Sequence, residues 1–268
     1  MPALANGLGL SRTRFGGGAV PNSAEAQQFF DRLLTPPTTE REALYNALID
    51  GLVADGVWAK LDVLNVCCAF DEAYALANLV QTSNLSSREE SAGAAVFTAD
   101  QGWSAGSVLK RVTTNFNPST ASSPKFTRND AMVGCWIYST GTVGQNAMGI
   151  GNAGADIGTI EIYPKYNSTD AYFALNNPPD TTATAGANSS GFFLVQRTAS
   201  NASAMYRNDS SIGTSSVAST ALSNANIFVR CEHSTRAYVV GASLTSGQRT
   251  ALYNRLSTFI TGVTGGIP

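Results

Sequence analysis

The fold class the sequence predicts is all-β, an antiparallel sandwich or jelly roll framed by helices, and three observations predict it. Between Phe126 and Ser243 the chain is a ladder of short apolar runs, MVGCWIYS, GTIEIYP, DAYFALN, GFFLVQR, SAMYRND, NIFVRCE and RAYVVGAS. The runs are rich in β-branched and aromatic residues and recur every 10 to 20 residues or so. Between them lie clusters of Gly, Asn, Ser, Thr, Asp and Pro, the pattern of antiparallel strands joined by turns. Finally, a Thr-x-x-Glu and a Thr-x-x-Gln sequence frame the ladder, each the signature of a helix start.

The elements follow in chain order. Residues 1–22 are Gly-rich, carry a small basic patch at Arg12 and Arg14 beside Phe15, and show no periodicity. They read as an extended arm. Ala24 to Leu34 is a short helix stopped by Pro36 and Pro37. Thr39-Glu40-Arg41-Glu42 forms a capping box, and the helix it opens carries Leu44, Leu48 and Leu52 on one stripe and ends at Gly56. A strand over Leu61 to Phe70 and a short helix over Asp71 to Leu79 come next. Val80 to Gly93 is polar and reads as a surface loop, followed by the strand-like AAVFTA and SVLKRVTTNF, the turn-rich NPSTASSPKFTRND and the main ladder. Residues 176–191 form the longest apparent loop of the ladder. After it, Thr245-Ser246-Gly247-Gln248 caps a helix with Leu252, Leu256, Phe259 and Ile260 on one stripe, stopping near Gly262. Two regions result: an arm with a short helix over 1–38, and a helix-flanked sandwich over 39–265.

Composition narrows the function. A chain of 268 residues supports one large core. Charged residues make up 13% of it, against a globular average of about 25%, so Ser, Thr, Asn and Gly carry the polar load. With 17 basic and 19 acidic residues and a net charge of −2, no cationic footprint for nucleic acid or an anionic membrane exists. No stretch has the roughly 18 apolar residues of a membrane helix, and the N-terminus lacks the continuous apolar core of a secretion signal. Cys67, Cys68, Cys135 and Cys231 sit in apolar runs, as buried free thiols do. A Cys135–Cys231 disulfide is open on spacing alone, and no Cys/His set suggests zinc. Sequons at Asn84, Asn167, Asn188 and Asn201 follow from the Asn, Ser and Thr richness.

Catalytic chemistry is thinly represented. Gly102-Trp103-Ser104-Ala105-Gly106 matches the G-x-S-x-G nucleophile elbow, with the sole histidine, His233, downstream. The elbow requires a strand before the serine and a helix after it, whereas a strand-like run follows here. His233 falls in the turn between the last two strands and reads as an exposed turn residue. Of the ladder's acids, Asp130, Asp156, Glu161, Asp170, Asp180, Asp209 and Glu232, only Glu161 and Glu232 fall in strand-like runs, and no glycosidase array appears. Asp170 with Asn167, or Asp209 with Asn208, are candidate calcium ligands but read more simply as Asx turns. The sequence predicts no catalytic residue, metal or cofactor.

Binding is better represented. Sugar contact needs exposed aromatic rings to stack on the apolar faces of pyranoses and amide, carboxylate or hydroxyl groups to bond their hydroxyls. The candidates are Trp103, Tyr163, Tyr166, Tyr172 and Tyr206, with Asn177, Asp180 and Asn188 from the 176–191 loop. Trp136, Tyr138, Phe193, Phe228 and Tyr238 read as core.

Three stretches, YNALIDGLVADGVWAKLDVLNVCCAFDEAYALANLV, FTADQGWSAG with TTNFNPSTASSPKFTRNDAMVGCWIYS, and VVGASLTSGQRTALYNRLSTFITGV, resemble a concanavalin A-like (laminin-G-like) jelly-roll family of tailed bacteriophages and prophages. The likeness runs from about Glu40 to Val263, and the opening NGLGLSRTRFGGG is also similar to such proteins. The resemblance implies a two-sheet jelly roll in the virion as a minor structural, fibre, spike or decoration component, in contact with other virion proteins and with host surface polysaccharide. It further implies a homo-oligomer, trimer or dimer, with Arg12, Arg14 and Phe15 in the anchoring arm. A decoration protein, a dedicated host-glycan adhesin and, less favoured, a glycosidase or esterase are the readings it leaves.

Overall fold

A computed structural model describes residues 22–33, 35–81, 87–88, 95–105, 110–139, 143–150, 158–178, 182–184 and 190–265. The anchoring candidates Arg12, Arg14 and Phe15 and the loop residues Asp180 and Asn188 lie outside them. In chain order the elements are α1 (Ala24–Asp31), α2 (Thr39–Ala54), β1 (Leu61–Val66), α3 (Glu72–Leu76), β2 (Ser87–Arg88), β3 (Val96–Thr98), β4 (Gly102–Ser104), β5 (Arg111–Thr113) and β6 (Ala131–Ile137). They continue with β7 (Met148–Gly149), β8 (Thr159–Tyr163), β9 (Asp170–Asn177), β10 (Thr182–Thr184), β11 (Gly191–Ala199), β12 (Ala202–Arg207), β13 (Ser210–Ser215), β14 (Phe228–Arg230), β15 (Thr235–Gly241) and α4 (Ser246–Thr264).

The strands form two antiparallel sheets packed as a sandwich. Among the described residues the first has eight strands, in the order β13-β12-β11-β6-β15-β4-β3 with β1 also on β15, and the second has seven, in the order β10-β9-β8-β7-β14-β5-β2. Every apolar run of the expected ladder is a strand. Five strands were not legible: β2 and β10 fall in the segments read as loops over 80–93 and 176–191, β4 and β7 are three and two residues long, and β13 is an edge strand of small residues with no apolar alternation.

The first sheet is covered on both sides. One face, including Val133, Cys135, Phe193, Val195, Tyr238 and Val240, is buried toward the second sheet. The other meets α4, where Trp136 stacks on Phe192 at 5.7 Å and on Tyr253 at 5.6 Å. Covering both faces explains why β6, β11 and β15 read as near-continuous apolar runs. α2 lies antiparallel to α4, tied at one end by Gln248 Nε2 donating to the Gly56 carbonyl and at the other by Arg41 Nη2 donating to that of Val263.

α1 buries Ala26 and Phe29 in this same core, and Arg32 just after it donates to the carbonyls of Asn78 and Leu79 at 3.0 Å each. The short helix thus packs as part of the sandwich domain, although it was grouped with the arm.

Local differences have local causes. Thr38, not Thr39, caps α2, its hydroxyl accepting from the Arg41 amide, so Glu42 falls one position too late to close a box. The α4 box is complete, with Thr245 and Gln248 bonding reciprocally, but the helix runs through Gly262 to a left-handed Gly265. Gly262 is accommodated inside it because its bare backbone lies against Leu44. β1 ends at Val66 because the Cys67 and Cys68 amides both turn to the Arg236 carbonyl. All four cysteines are buried free thiols, so the Cys135–Cys231 disulfide does not form.

Candidate functional site

The pleat of the second sheet sorts its residues. Val112, Met148, Ile160, Ile162, Phe173, Leu175 and Val229 point into the core. Strict alternation therefore sends Arg111, Phe228, Arg230, Glu161, Tyr163 and Tyr172 to the other face. Cross-strand register sets them in two rows. Thr113, Phe228, Gly149, Glu161 and Ala174 are successive partners from β5 to β9. Beside that row Arg111 pairs with Arg230 and Tyr163 with Tyr172, and Ala147 lies between, bonded through its backbone to Arg230 and Ile162. The central Ala147 and Gly149 are buried, while Arg111, Arg230, Glu161 and Tyr163 are half-buried and form the rim.

At one end of this strip three tyrosines meet. Tyr163 and Tyr172 are direct cross-strand partners with ring centroids 5.4 Å apart, nearly perpendicular. Tyr166, on the turn between β8 and β9, lies 5.8 Å from Tyr163 and 5.2 Å from Tyr172. Tyr172 is buried and Tyr166 is 46% exposed, so the two strand tyrosines support a ring that faces solvent. The turn is built by Asn167, whose Oδ1 accepts from the Thr169 and Asp170 amides and whose Nδ2 donates to Asp170 at 2.8 Å. This is the Asx turn that the sequence suggested as the simpler alternative to a calcium ligand pair.

At the other end Phe228 is flanked by two guanidinium groups, Arg111 at 4.8 Å and Arg230 at 5.4 Å from its ring centroid. Asn146 accepts from Arg230 Nε. Its side-chain nitrogen lies only 2.9 Å from where a Cβ on Gly149 would stand, so the glycine leaves room for the amide that holds the arginine.

Glu161 sits between the two ends. Burial raises its carboxyl above the ordinary range, partly offset by the Tyr163 hydroxyl, which donates to Oε1 at 3.4 Å. Tyr163 is itself pushed up to about 12, first by burial and then by the Glu161 charge, with Arg230 acting the other way. It therefore stays a protonated donor at neutral pH. The strip thus offers one solvent-facing ring and, beside it, a hydroxyl, a carboxyl and two guanidinium groups, with the buried Asn146 holding one of the latter.

The structure divides the sequence candidates. Tyr163, Tyr166 and Tyr172 come together. Trp103 is a correction: it is 1% exposed, its ring against Phe97 at 5.4 Å, and it presents no face to a ligand. Tyr206 is another, lying on the helix-covered side of the first sheet with the Arg249 guanidinium 3.9 Å over its ring. Asn177 is a third, buried and accepting from Arg197 Nη2 at 2.8 Å and the Leu175 amide at 2.9 Å. Asp209 likewise is taken up by Arg249 and Thr250 of α4. Glu161, Asn146, Arg111 and Arg230 were not read as binding residues. For Glu161, Arg111 and Arg230 the signal was present, a polar side chain alternating with core residues in a strand, but the face it lies on depends on pairing; Asn146 lies outside the strands and carried no such signal.

Among the described residues, neither the nucleophile elbow nor a Glu161–Asp170 carboxylate pair has the geometry its chemistry needs. Gly102–Ser104 is strand β4, paired with β3 and β15, and Gly102 is required at φ +96° with the Thr235 carbonyl 2.3 Å from an added Cβ, so no elbow forms. His233 is buried rather than exposed, its Nε2 2.9 Å from the Gln145 carbonyl in the 3₁₀ turn Cys231–His233. Glu161 pairs with Ala174, four residues along β9 from Asp170. That places the two carboxylates roughly 13 Å apart along the strand, beyond the roughly 5 to 9.5 Å of a glycosidase pair.

No family model and no curated protein sequence matches the chain. In fold it is similar to the botulinum neurotoxin serotype D binding domain, at a TM-score of 0.51 and 7% identity over 76% of this chain and 52% of that one. It is also similar to a structure described under cell entry of botulinum neurotoxin type C depending on interaction with two ganglioside molecules, at a TM-score of 0.50 and 14% identity over 75% of this chain and 52% of that one. The chain thus spans about half the length of these neighbours, and at such identities the likeness is one of fold.

Proposed function

We propose that the chain is a non-catalytic glycan-binding β-sandwich displayed on a bacteriophage particle. The observation that carries the binding half is the solvent-facing Tyr166, supported by Tyr163 and Tyr172 and flanked by the half-buried Glu161 and Arg230, the latter held by Asn146. Such a ring stacks on the apolar face of a sugar while the neighbouring groups bond its hydroxyls. Thr182 pairs with Tyr172, which sets the short strand β10 beside β9 at the tyrosine end. One neurotoxin of similar fold engages gangliosides, a precedent for sugar contact on such a scaffold. The particle half rests on the resemblance of the three sequence stretches. In it residues 1–21, with Arg12, Arg14 and Phe15, attach the domain to other virion proteins as a dimer or trimer.

An array of host surface polysaccharide fragments tests the binding half. The intact chain binds members of the array, and Tyr166→Ala weakens binding about tenfold or more, the scale of one lost stacking contact. Absence of binding at any calcium concentration would sink this reading. The particle half is tested by locating the chain in purified particles by electron microscopy and by deleting residues 1–21. A deletion that still enters particles normally overturns the anchoring role.

A further inference from the structure

We infer that the sugar stacked on Tyr166 carries an acetamido group, whose methyl rests on Val143 and whose amide bonds to the turn beside it. This rests on the glycan-binding reading above. Among the described residues four large apolar side chains are exposed, those of Val53, Val96, Val143 and Tyr166. Val53 lies on α2 and Val96 on the edge strand β3. The other two adjoin each other.

Backbone pairing places them. The Gly144 amide donates to the Lys165 carbonyl at 2.9 Å and the Ala147 amide to that of Ile162 at 2.7 Å, so the segment before β7 runs antiparallel to the end of β8. In that register Val143 stands opposite Tyr166, and opposed residues of antiparallel chains are about 5 Å apart at Cα. A Cβ added to Gly144 would lie 3.8 Å from the Tyr166 carbonyl, which shows the same close approach of the two segments. Gly144 itself has φ +78°, a left-handed turn that glycine accepts without strain. Val143 is 44% exposed and Tyr166 46%, so the apolar surface at this end of the strip extends beyond one ring.

That extension selects among sugars. A plain hexose stacked on Tyr166 sets a hydroxyl against Val143, where the hydroxyl loses water and gains no partner. An acetamido group in its place sets a methyl there. The methyl of a 6-deoxy sugar also covers the valine, but it makes no use of the polar groups on the turn that holds Tyr166. Lys165 precedes the tyrosine on that turn and the exposed Ser168 follows it, one a donor and the other an acceptor as well, and an acetamido amide takes one of each.

Matched probes test the inference: chitotriose against cellotriose, the methyl glycoside of N-acetylgalactosamine against that of galactose, and methyl rhamnoside and fucoside as 6-deoxy controls. Each is titrated into the intact chain by ligand-observed NMR. The acetamido member of at least one pair is expected to bind about fourfold tighter or more, the affinity equivalent of one buried methyl group. In Val143→Ser that ratio falls toward one while binding of the plain sugar is kept. Equal binding within both pairs, weakened by Tyr166→Ala, overturns the acetamido assignment and leaves glycan binding intact. Tighter binding of a 6-deoxy control than of either acetamido sugar overturns it as well. So does binding on the polysaccharide array that includes no acetamido sugar. A preference that survives Val143→Ser in a chain of unchanged melting temperature overturns the role of Val143. Failure of every probe and of every member of the array overturns both readings. The ligand pairs differ only in the sugar, so the first comparison needs no variant to fold.

Discussion

Tyr166 faces solvent because Asn167 closes a tight turn directly after it and because Tyr163 and Tyr172 fill the space beneath. Elsewhere single polar residues hold the interior. Arg197 is fully buried, yet each of its nitrogens is engaged, by the carbonyls of Leu175, Ala199, Ser200 and Val217 and by Asn177. It joins β11 of the first sheet to β9 of the second. Arg197→Met removes the donor of the buried Leu175 carbonyl and Asn177 amide oxygen, and the expected loss is about 3 kcal/mol or more by denaturant titration. A loss below about 1 kcal/mol would contradict the bridging role. His233 carries a pH dependence. Burial lowers its pKa below the ordinary 6.5, so below that pH the unfolded chain takes up a proton that the folded chain refuses. Stability is therefore full above about 6.5 and falls as pH drops from there toward the lowered folded value. His233→Gln should flatten this part of the curve. Thermal melts of both proteins between pH 7.5 and 5.5 check it, and parallel curves refute it.

At the scale of elements, α4 shows how a local signal and a distant contact combine. Its start is written in the sequence: Thr245 Oγ1 accepts from the Gln248 amide while Gln248 Oε1 accepts from that of Thr245. Thr245→Ala should cost about 1 kcal/mol, as cap removal generally does, and an unchanged unfolding midpoint would show that packing alone holds the helix. That packing is extensive, because Tyr253 lies on Trp136 and Phe259 on Tyr45. The stripe of Leu252, Leu256, Phe259 and Ile260 was legible as a core face and is buried. The first-turn register of α2 was less legible: the sequence favours Thr39, with Glu42 three residues on, yet the helix begins after Thr38, whose hydroxyl accepts from the Arg41 amide. The short strands β5 and β7 were blurred or lost, since two or three residues carry no period and only their cross-strand partners define them.

At the scale of the molecule, the helices cover one side of the sandwich and leave the other for the aromatic and polar strip. α1 belongs to the covered side, so a chain beginning at Thr38 should be markedly less stable than one beginning at Asn22. The loss is about 3 kcal/mol or more, the cost of removing one buried Phe side chain. Equal denaturation midpoints for the two would mean that α1 is dispensable. The composition was informative at this scale too: few charges and many hydroxyl and amide groups match a neutral hydrogen-bonding exterior.

The strand ladder, the framing helices and most of the core were determined by sequence alone, because alternation and capping act between residues a few positions apart. Three of the aromatic candidates, Tyr163, Tyr166 and Tyr172, were also within its reach. Which face each residue joins was decided only by the tertiary structure. Trp103 and Tyr206 are aromatics in strands like Tyr163, yet one is enclosed beside Phe97 and the other lies under Arg249. A period of two separates the faces of a strand but does not say which face meets a helix, a second sheet or water. That depends on pairings such as β6 with β15 and β5 with β14, made across about a hundred residues of chain. The same long-range pairing brings Arg111 beside Arg230.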